Sequence, residues 1–257
     1  MTLLSSEPIV TAEKYIEYKK ASGHIAPDFA APKSILVCYQ SSTLSYFLRE
    51  SGRIEPCADY SDLFLVEDGR AGILAGWGIG APALAIKLEE LAALGADRFI
   101  AVGTAGTLVE HPIGSFIVSP KALAEDGVAH LYLPEGGRFA EADEGLLEEW
   151  AAFAKEPFYT TDAWSFSAIY RESPADIARV KALGCGVVEM EAATLFAIGR
   201  EKNVRTLSLF VVSDRVGPEA WMPRHKEPLV RENLHALAES ALAFCLIQDR
   251  PLSSRDR

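Results

Sequence analysis

The sequence is poor in the residues that build metal centres and disulfide frameworks. Its four cysteines, Cys38, Cys57, Cys185 and Cys245, are widely scattered. No C-x-x-C pair occurs and no histidine lies at ligand spacing from a cysteine, which argues against structural zinc and for reduced, buried thiols. Long apolar runs are missing too. No stretch reaches the roughly 18 residues that a membrane-spanning helix needs. Met1–Glu7 lacks the basic and apolar regions of a signal peptide, so a cytoplasmic location is expected. Positive charge is in short supply: 25 Lys and Arg stand against 36 Asp and Glu, for a net charge of −11. Such a chain repels phosphate backbones, which excludes general nucleic-acid binding but not a local basic pocket for one phosphate. There is no internal repeat, low-complexity tract or clear linker, and no metal or organic cofactor is implied.

What is present is apolar residue content near one half (49%), enough for a sizeable core in one large α/β domain or two small ones. Residues 1–33, with Pro27 and Pro32, read as an N-terminal arm, and 34–257 as the α/β domain. Ser34–Cys38 reads as a buried first strand. Leu63–Val66 and Ala71–Ala75 read as a hairpin turning at Asp68-Gly69. Pro82 opens a helix that aligns Leu84, Leu88 and Leu91 and that Gly95 closes. A strand over Arg98–Val102 is expected to break at Gly103-Thr104-Ala105-Gly106, and another is expected at Ser115–Ser119. Acidic Glu141–Glu149 suggests a surface loop and helix. Val187–Val188 ends a strand, Glu189–Lys202 is helical, and Thr206–Val212 is a strand stopping at Ser213-Asp214. A last helix spans about Pro228 to Ile247. This alternation argues for a mostly parallel sheet with flanking helices.

Three segments carry candidate chemistry. Gly76-x-Gly78-x-x-Ala81 satisfies a dinucleotide fingerprint formally, but it does not follow the first strand, and a plain tight turn explains it better. Asp214 stands at the C-terminal end of an apolar strand, where ligands of open α/β sheets gather and where a carboxyl group can serve as an acid. The same residue would also suit a helix N-cap or a salt bridge. Glu189 and Glu191 flank Met190 at a strand-to-helix junction. Two carboxylates there can accept hydrogen bonds from vicinal hydroxyls, as of a ribose, or simply complement a helix dipole.

Taken in order, Gly76–Gly80 with its helix, Val102-Gly103-Thr104-Ala105-Gly106, Val188-Glu189-Met190-Glu191-Ala192 and Val211-Val212-Ser213-Asp214 resemble the nucleoside phosphorylase family. That family includes purine nucleoside phosphorylase, uridine phosphorylase and methylthioadenosine nucleosidase. The resemblance covers most of the chain from Ser34 on. It implies a single domain around a central mixed β-sheet flanked by helices, and a homodimer or a larger homo-oligomer built from dimers. It also implies cleavage of the bond between a base and ribose. It assigns Met190, Glu191 and Glu189 to the ribose, and Trp164, Ser213 and Val188 to the base. Asp214 becomes the acid at a purine's N7. Thr104 and Gly103 fall in the phosphate region. His24, eleven residues before Ile35, matches a histidine that reaches the neighbouring subunit's ribose. Tyr170-Arg171-Glu172 is a counter-signal, since an arginine near that place holds pyrimidine oxygens in uridine-type members.

The phosphate-holding positions depart from the family. Where it has a Gly-Asp-Pro loop and a following arginine, this chain has Gln40 and Leu44. Where a second arginine precedes the Val-Gly-Thr segment stands Ala101, and the third falls near Ala58. Each such bond to a charged group is worth about 1.5–3 kcal/mol, so phosphate binding is in question unless Arg53, Lys121 or Arg224 substitutes. Four readings follow within the family: a purine-type phosphorylase using phosphate, a nucleosidase using water, a non-catalytic nucleoside-binding or assembly member and a uridine-type phosphorylase; a dinucleotide oxidoreductase is a distant alternative outside it.

Overall fold

A computed structural model describes residues 8–50, 54–217 and 220–248. Its elements, in chain order, begin with α1 (Ala12–Ala21), β1 (Ser34–Cys38), α2 (Ser41–Glu50), β2 (Ile54–Pro56), β3 (Leu63–Val66), β4 (Ala71–Leu74) and α3 (Ala81–Ala93). They continue with β5 (Arg98–Thr107), β6 (Phe116–Ser119), β7 (Lys121–Glu125), β8 (Phe139–Glu141), α4 (Glu144–Phe153), β9 (Phe158–Thr160) and β10 (Asp162–Phe166). The last are α5 (Pro174–Ala182), β11 (Cys185–Glu189), α6 (Ala192–Lys202), β12 (Arg205–Val216), β13 (Trp221–Pro223) and α7 (Pro228–Gln248). No described helix is long and apolar enough to cross a membrane.

All strands join one sheet with the path β2-β3-β4-β1-β5-β11-β10-β7-β8, while β12 pairs with β5, β6 and β13. The sheet is mixed, as the family resemblance implies, rather than mostly parallel as the strand–helix alternation suggests. β1 runs parallel to β4 and β5, but β11 meets β5 antiparallel and β12 meets β6 antiparallel. Helices cover both faces. On one, α3 and α6 pack Leu84, Leu88, Leu195 and Ile198 into a core that also takes Ile16 of α1 and Ile25. On the other, α2, α4 and α7 contribute Phe47, Trp150, Leu234 and Phe244. Within the segment read as an arm, α1 thus lies against α3. All four cysteines are buried, and none is in a disulfide.

Two strands run longer than their residues suggest. β5 continues through Gly103-Thr104-Ala105-Gly106 instead of breaking there, because β12 pairs with it from Arg98 to Thr107. Small residues are needed for close approach: a Cβ on Gly103 would sit 2.6 Å from Tyr39 Cδ2, and one on Gly106 2.8 Å from Val216 Cγ2. β12 likewise passes through Ser213-Asp214 to Val216, with a register shift between Val212 and Asp214. Ser213 is the extra residue of a bulge, a device that re-aims neighbouring side chains. α6 starts at Ala192, three residues after Glu189, because Glu189 still belongs to β11.

On its other edge β5 is covered by β1 from Arg98 to Val102 and by β11 at Gly106 and Thr107. Between them Gly103, Thr104 and Ala105 have no strand on that side among the described pairings, and the sheet opens there.

The close seat of α6 on β12 depends on Gly199, where a Cβ would come within 2.5 Å of Thr206 Cγ2 and 3.1 Å of the Val204 carbonyl oxygen. Gly199→Ala is expected to destabilise the fold by about 1–3 kcal/mol through overpacking. At about 2–4 °C per kcal/mol for a chain of this size, thermal unfolding followed by circular dichroism reads the change. An unchanged midpoint would contradict the packing described.

Candidate functional site

The opening in the sheet leads into a cavity of about 680 Å³ lined by the ends of β5, β11 and β12, by the segment before α5 and by β13. Thr104, Val188, Glu189, Met190, Ser213 and Asp214 all line it. The structure therefore brings together residues that lie far apart in the chain. Gly103, Glu191, Trp164 and His24 are not among the lining residues.

The carboxylates of Glu189 and Glu191 are held by main-chain N–H groups at helix starts. Glu189 Oε2 accepts from the N–H groups of Glu191 and Ala192, both at 2.7 Å, at the opening of α6. Its Oε1 accepts from Ser165 Oγ. Glu189 therefore stitches β10, β11 and α6 together, and its oxygens are already engaged. Glu191 Oε1 accepts from the Gly80 N–H at 2.6 Å, at the start of α3. Glycines at 76, 78 and 80 have φ of 81°, 116° and 92°, a conformation glycine adopts freely. The glycine turn that mimics a dinucleotide fingerprint thus presents its helix N-terminus to an internal carboxylate. Burial pushes both glutamates above the usual carboxylate range; for Glu191 the charge of Glu189 adds to it.

At the far end, the β12 bulge turns Asp214 into the cavity. Ser213 Oγ donates to its Oδ1 at 2.7 Å and Trp221 Nε1 to its Oδ2 at 2.7 Å. His225 Nδ1 lies 3.6 Å from Oδ1. Glu172, on the strand-like residue preceding the α5 N-cap Ser173, lines the same end. Burial, and then the charge of Asp214, push its carboxyl up to about 7. No donor from the described residues satisfies it.

Trp164 requires a correction. Its side chain is fully buried, its ring stacks on Phe166 at 4.7 Å, and its Nε1 donates to Glu125 Oε2 at 2.8 Å. As a residue of the inner strand β10, flanked by β7 and β11, it has no face left for a base. The cavity is lined instead by Tyr170 and by Trp221, which is 60% exposed. Trp221, Glu172 and His225 escaped the sequence reading. Trp221 had one signal, a large aromatic shortly after the Ser-Asp strand. Glu172 lay one residue from the arginine that drew notice: Arg171 is exposed and outside the lining, while Glu172 turns in. His24 is exposed and bonded to Ser22 Oγ through Nδ1 at 2.8 Å.

The positions that the resemblance assigns to phosphate are engaged within the protein. Gln40 Nε2 donates to Thr104 Oγ1 at 3.1 Å. Leu44 packs toward Gly76, and Ala101 is fully buried in the core. Of the cations considered as substitutes, Lys121 pairs with Asp162 and Arg224 with Glu227. Neither lines the cavity, and Arg53 lies outside the described residues. Among the described residues no Lys or Arg lines the cavity, and none of the His, Cys, Asp and Glu residues form a metal-holding group of three or more.

Comparison with known proteins places this geometry. Guanosine phosphorylase of Halorubrum lacusprofundi is 31% identical over 150 residues, a match covering 56% of this chain and 61% of that protein. The chain thus spans about three-fifths of the length of this curated relative. Purine nucleoside phosphorylase from Toxoplasma gondii, solved with immucillin-H, superposes with a TM-score of 0.72 at 22% identity, covering 87% of this chain and 93% of its own. AMP nucleosidase from Bacteroides thetaiotaomicron gives 0.69 at 19% identity, covering 91% and 98%. At these identities the two structures establish a shared fold. The family model described as the phosphorylase superfamily matches residues 62–243, which takes in the glycine turn, β5, the Glu189–Glu191 junction and the β12 bulge. The chain therefore belongs to the phosphorylase superfamily, whose members include nucleoside phosphorylases and nucleosidases.

Proposed function

We propose that the chain cleaves the N-glycosidic bond of a purine nucleoside. The observation that carries this reading is a single cavity lined by Glu189 and Met190 from the β11–α6 junction and by Asp214 and Glu172. Ribose hydroxyls would lie on Met190 and Glu191, with Glu189 holding the junction. The base would lie against Val188 and Trp221, with Ser213 orienting Asp214. As the C1′–N9 bond breaks, its electron pair stays on the base, and a proton from Asp214 to N7 neutralises the charge. An entering purine must displace Trp221 Nε1 from Asp214 Oδ2, which leaves the indole free to cover the base.

Glu172 faces the remaining edge of the base. Ionised, it accepts from the N1–H of a 6-oxopurine; protonated, it donates to the unprotonated N1 of a 6-aminopurine. This favours a purine reading over the uridine-type one, since Arg171 stands outside the lining. On this reading His24, exposed and outside its own chain's cavity, serves a neighbouring subunit in a cytoplasmic homodimer or larger homo-oligomer.

Asp214→Asn is expected to lower purine release by about 10²–10⁴-fold, the usual share of a positioned acid, with nucleoside binding retained. Steady-state release of hypoxanthine from inosine measures it, and an unchanged rate would remove the acid role. Binding without release in the unaltered protein would instead support the non-catalytic reading. Base preference should follow the protonation of Glu172. Since its carboxyl is raised to about 7, the acceptor form gains as pH rises from 6 to 8. The inosine-to-adenosine ratio of kcat/KM should rise with it, and should lie flat in Glu172→Gln.

A further inference from the structure

Behind Thr104, which lines the cavity, the chain carries buried polar atoms without a hydrogen-bond partner among the described residues. Gln40 spends its amide N–H on Thr104 Oγ1 and leaves Oε1 buried and unpartnered. Thr43 Oγ1, three residues along in α2, is buried and unpartnered, and so is Tyr39 Oη. The Tyr39 ring presses on Gly103 of β5 and stands edge-on to Trp77 at 5.7 Å. Tyr39 also feels the charges of Glu191 and Glu189, which with burial hold its hydroxyl protonated. Unsatisfied buried groups are rare and costly, so a cluster of them marks a place for a ligand or ordered water.

The kind of ligand follows from the donor set. A phosphate dianion needs charge-assisted donors. Here the donors are neutral hydroxyls, the carbonyl oxygen of Gln40 would face the anion's oxygens, and two carboxylates stand nearby. Water matches instead, donating to Gln40 Oε1 while accepting from a hydroxyl.

We propose that this cluster is the acceptor subsite of the cleavage reaction, that it takes water and rejects phosphate, and that Gln40 positions the water. The inference rests on the cleavage reading above. In the step, the water oxygen bonds to C1′ as the C1′–N9 bond breaks. The electron pair leaves on the base, which takes the Asp214 proton. The water gives up its proton to solvent as its oxygen bonds to C1′, and Asp214 regains one from solvent between turnovers, so the products are free base and ribose.

Two measurements test this separately from the parent reading. Purine release from inosine is expected to be equal with and without inorganic phosphate, giving ribose and no ribose 1-phosphate. Gln40→Leu should lower kcat about 10–100-fold at unchanged KM, and Gln40→Glu, which keeps an acceptor oxygen in place, should restore most of it. A phosphate-saturable rate with ribose 1-phosphate as product, or a Gln40→Leu enzyme unchanged in kcat, would overturn the proposal. Calorimetry with inorganic phosphate alone judges the subsite even if no nucleoside is cleaved. No saturable heat supports a neutral site. Saturable binding that Gln40→Leu removes overturns it, while absent cleavage counts against the parent reading.

Discussion

The site depends on the side-by-side pairing of β5 and β12 along nearly their whole length. That pairing forces β5 to remain a strand through two glycines. It also forces β12 to absorb one extra residue at Ser213, and the resulting bulge aims Asp214 into the cavity. On the opposite edge of β5, β1 ends at Cys38 and β11 begins its pairing only at Gly106, so the sheet parts beside Thr104. Gly103 lets the Tyr39 ring close against the strand. One strand pair thus sets both the opening beside Thr104 and the position of Asp214.

Charge distribution follows the same frame. Glu189 and Glu191 are buried at helix N-termini, where backbone N–H groups receive them, and each ties elements together before any ligand arrives. Burial still raises both, because donors offset only part of the lost hydration. At the other end Asp214 and Glu172 differ in the way that matters. Asp214 has two donors, and Glu172 has none among the described residues. A cavity lined by carboxyls, with no lysine or arginine among the described residues, suits a ligand rich in hydroxyls and N–H groups better than an anion.

The parts of this fold legible in the sequence are those set by local signals. Ser34–Cys38 was a continuous apolar run, Asp68-Gly69 a turn with positive φ, and Pro82 and Gly95 bracketed α3. What was not legible depends on partners distant in the chain. Gly103–Gly106 and Ser213-Asp214 look like strand breaks until β12 and β5 are laid together. Trp164 and Trp221 are equally aromatic on paper. Only the position of β10 inside the sheet buries the first, while β13 presents the second. Glu172 turns in and Arg171 turns out because the segment enters α5 through the Ser173 cap, a matter of register by one residue.

A second cavity, of about 300 Å³ and mostly apolar, lies between α4 and α7 and shares no residue with the site. It offers a direct contrast for the central claim, that one cavity holds sugar and base between Met190 and Asp214. The most direct measurement is a crystal structure of the protein with inosine or its cleavage products bound. The account predicts ribose hydroxyls on Met190 and Glu191, the purine against Trp221, and N7 beside Asp214. A nucleoside bound between α4 and α7, or bound here with its base turned away from Asp214, would contradict it.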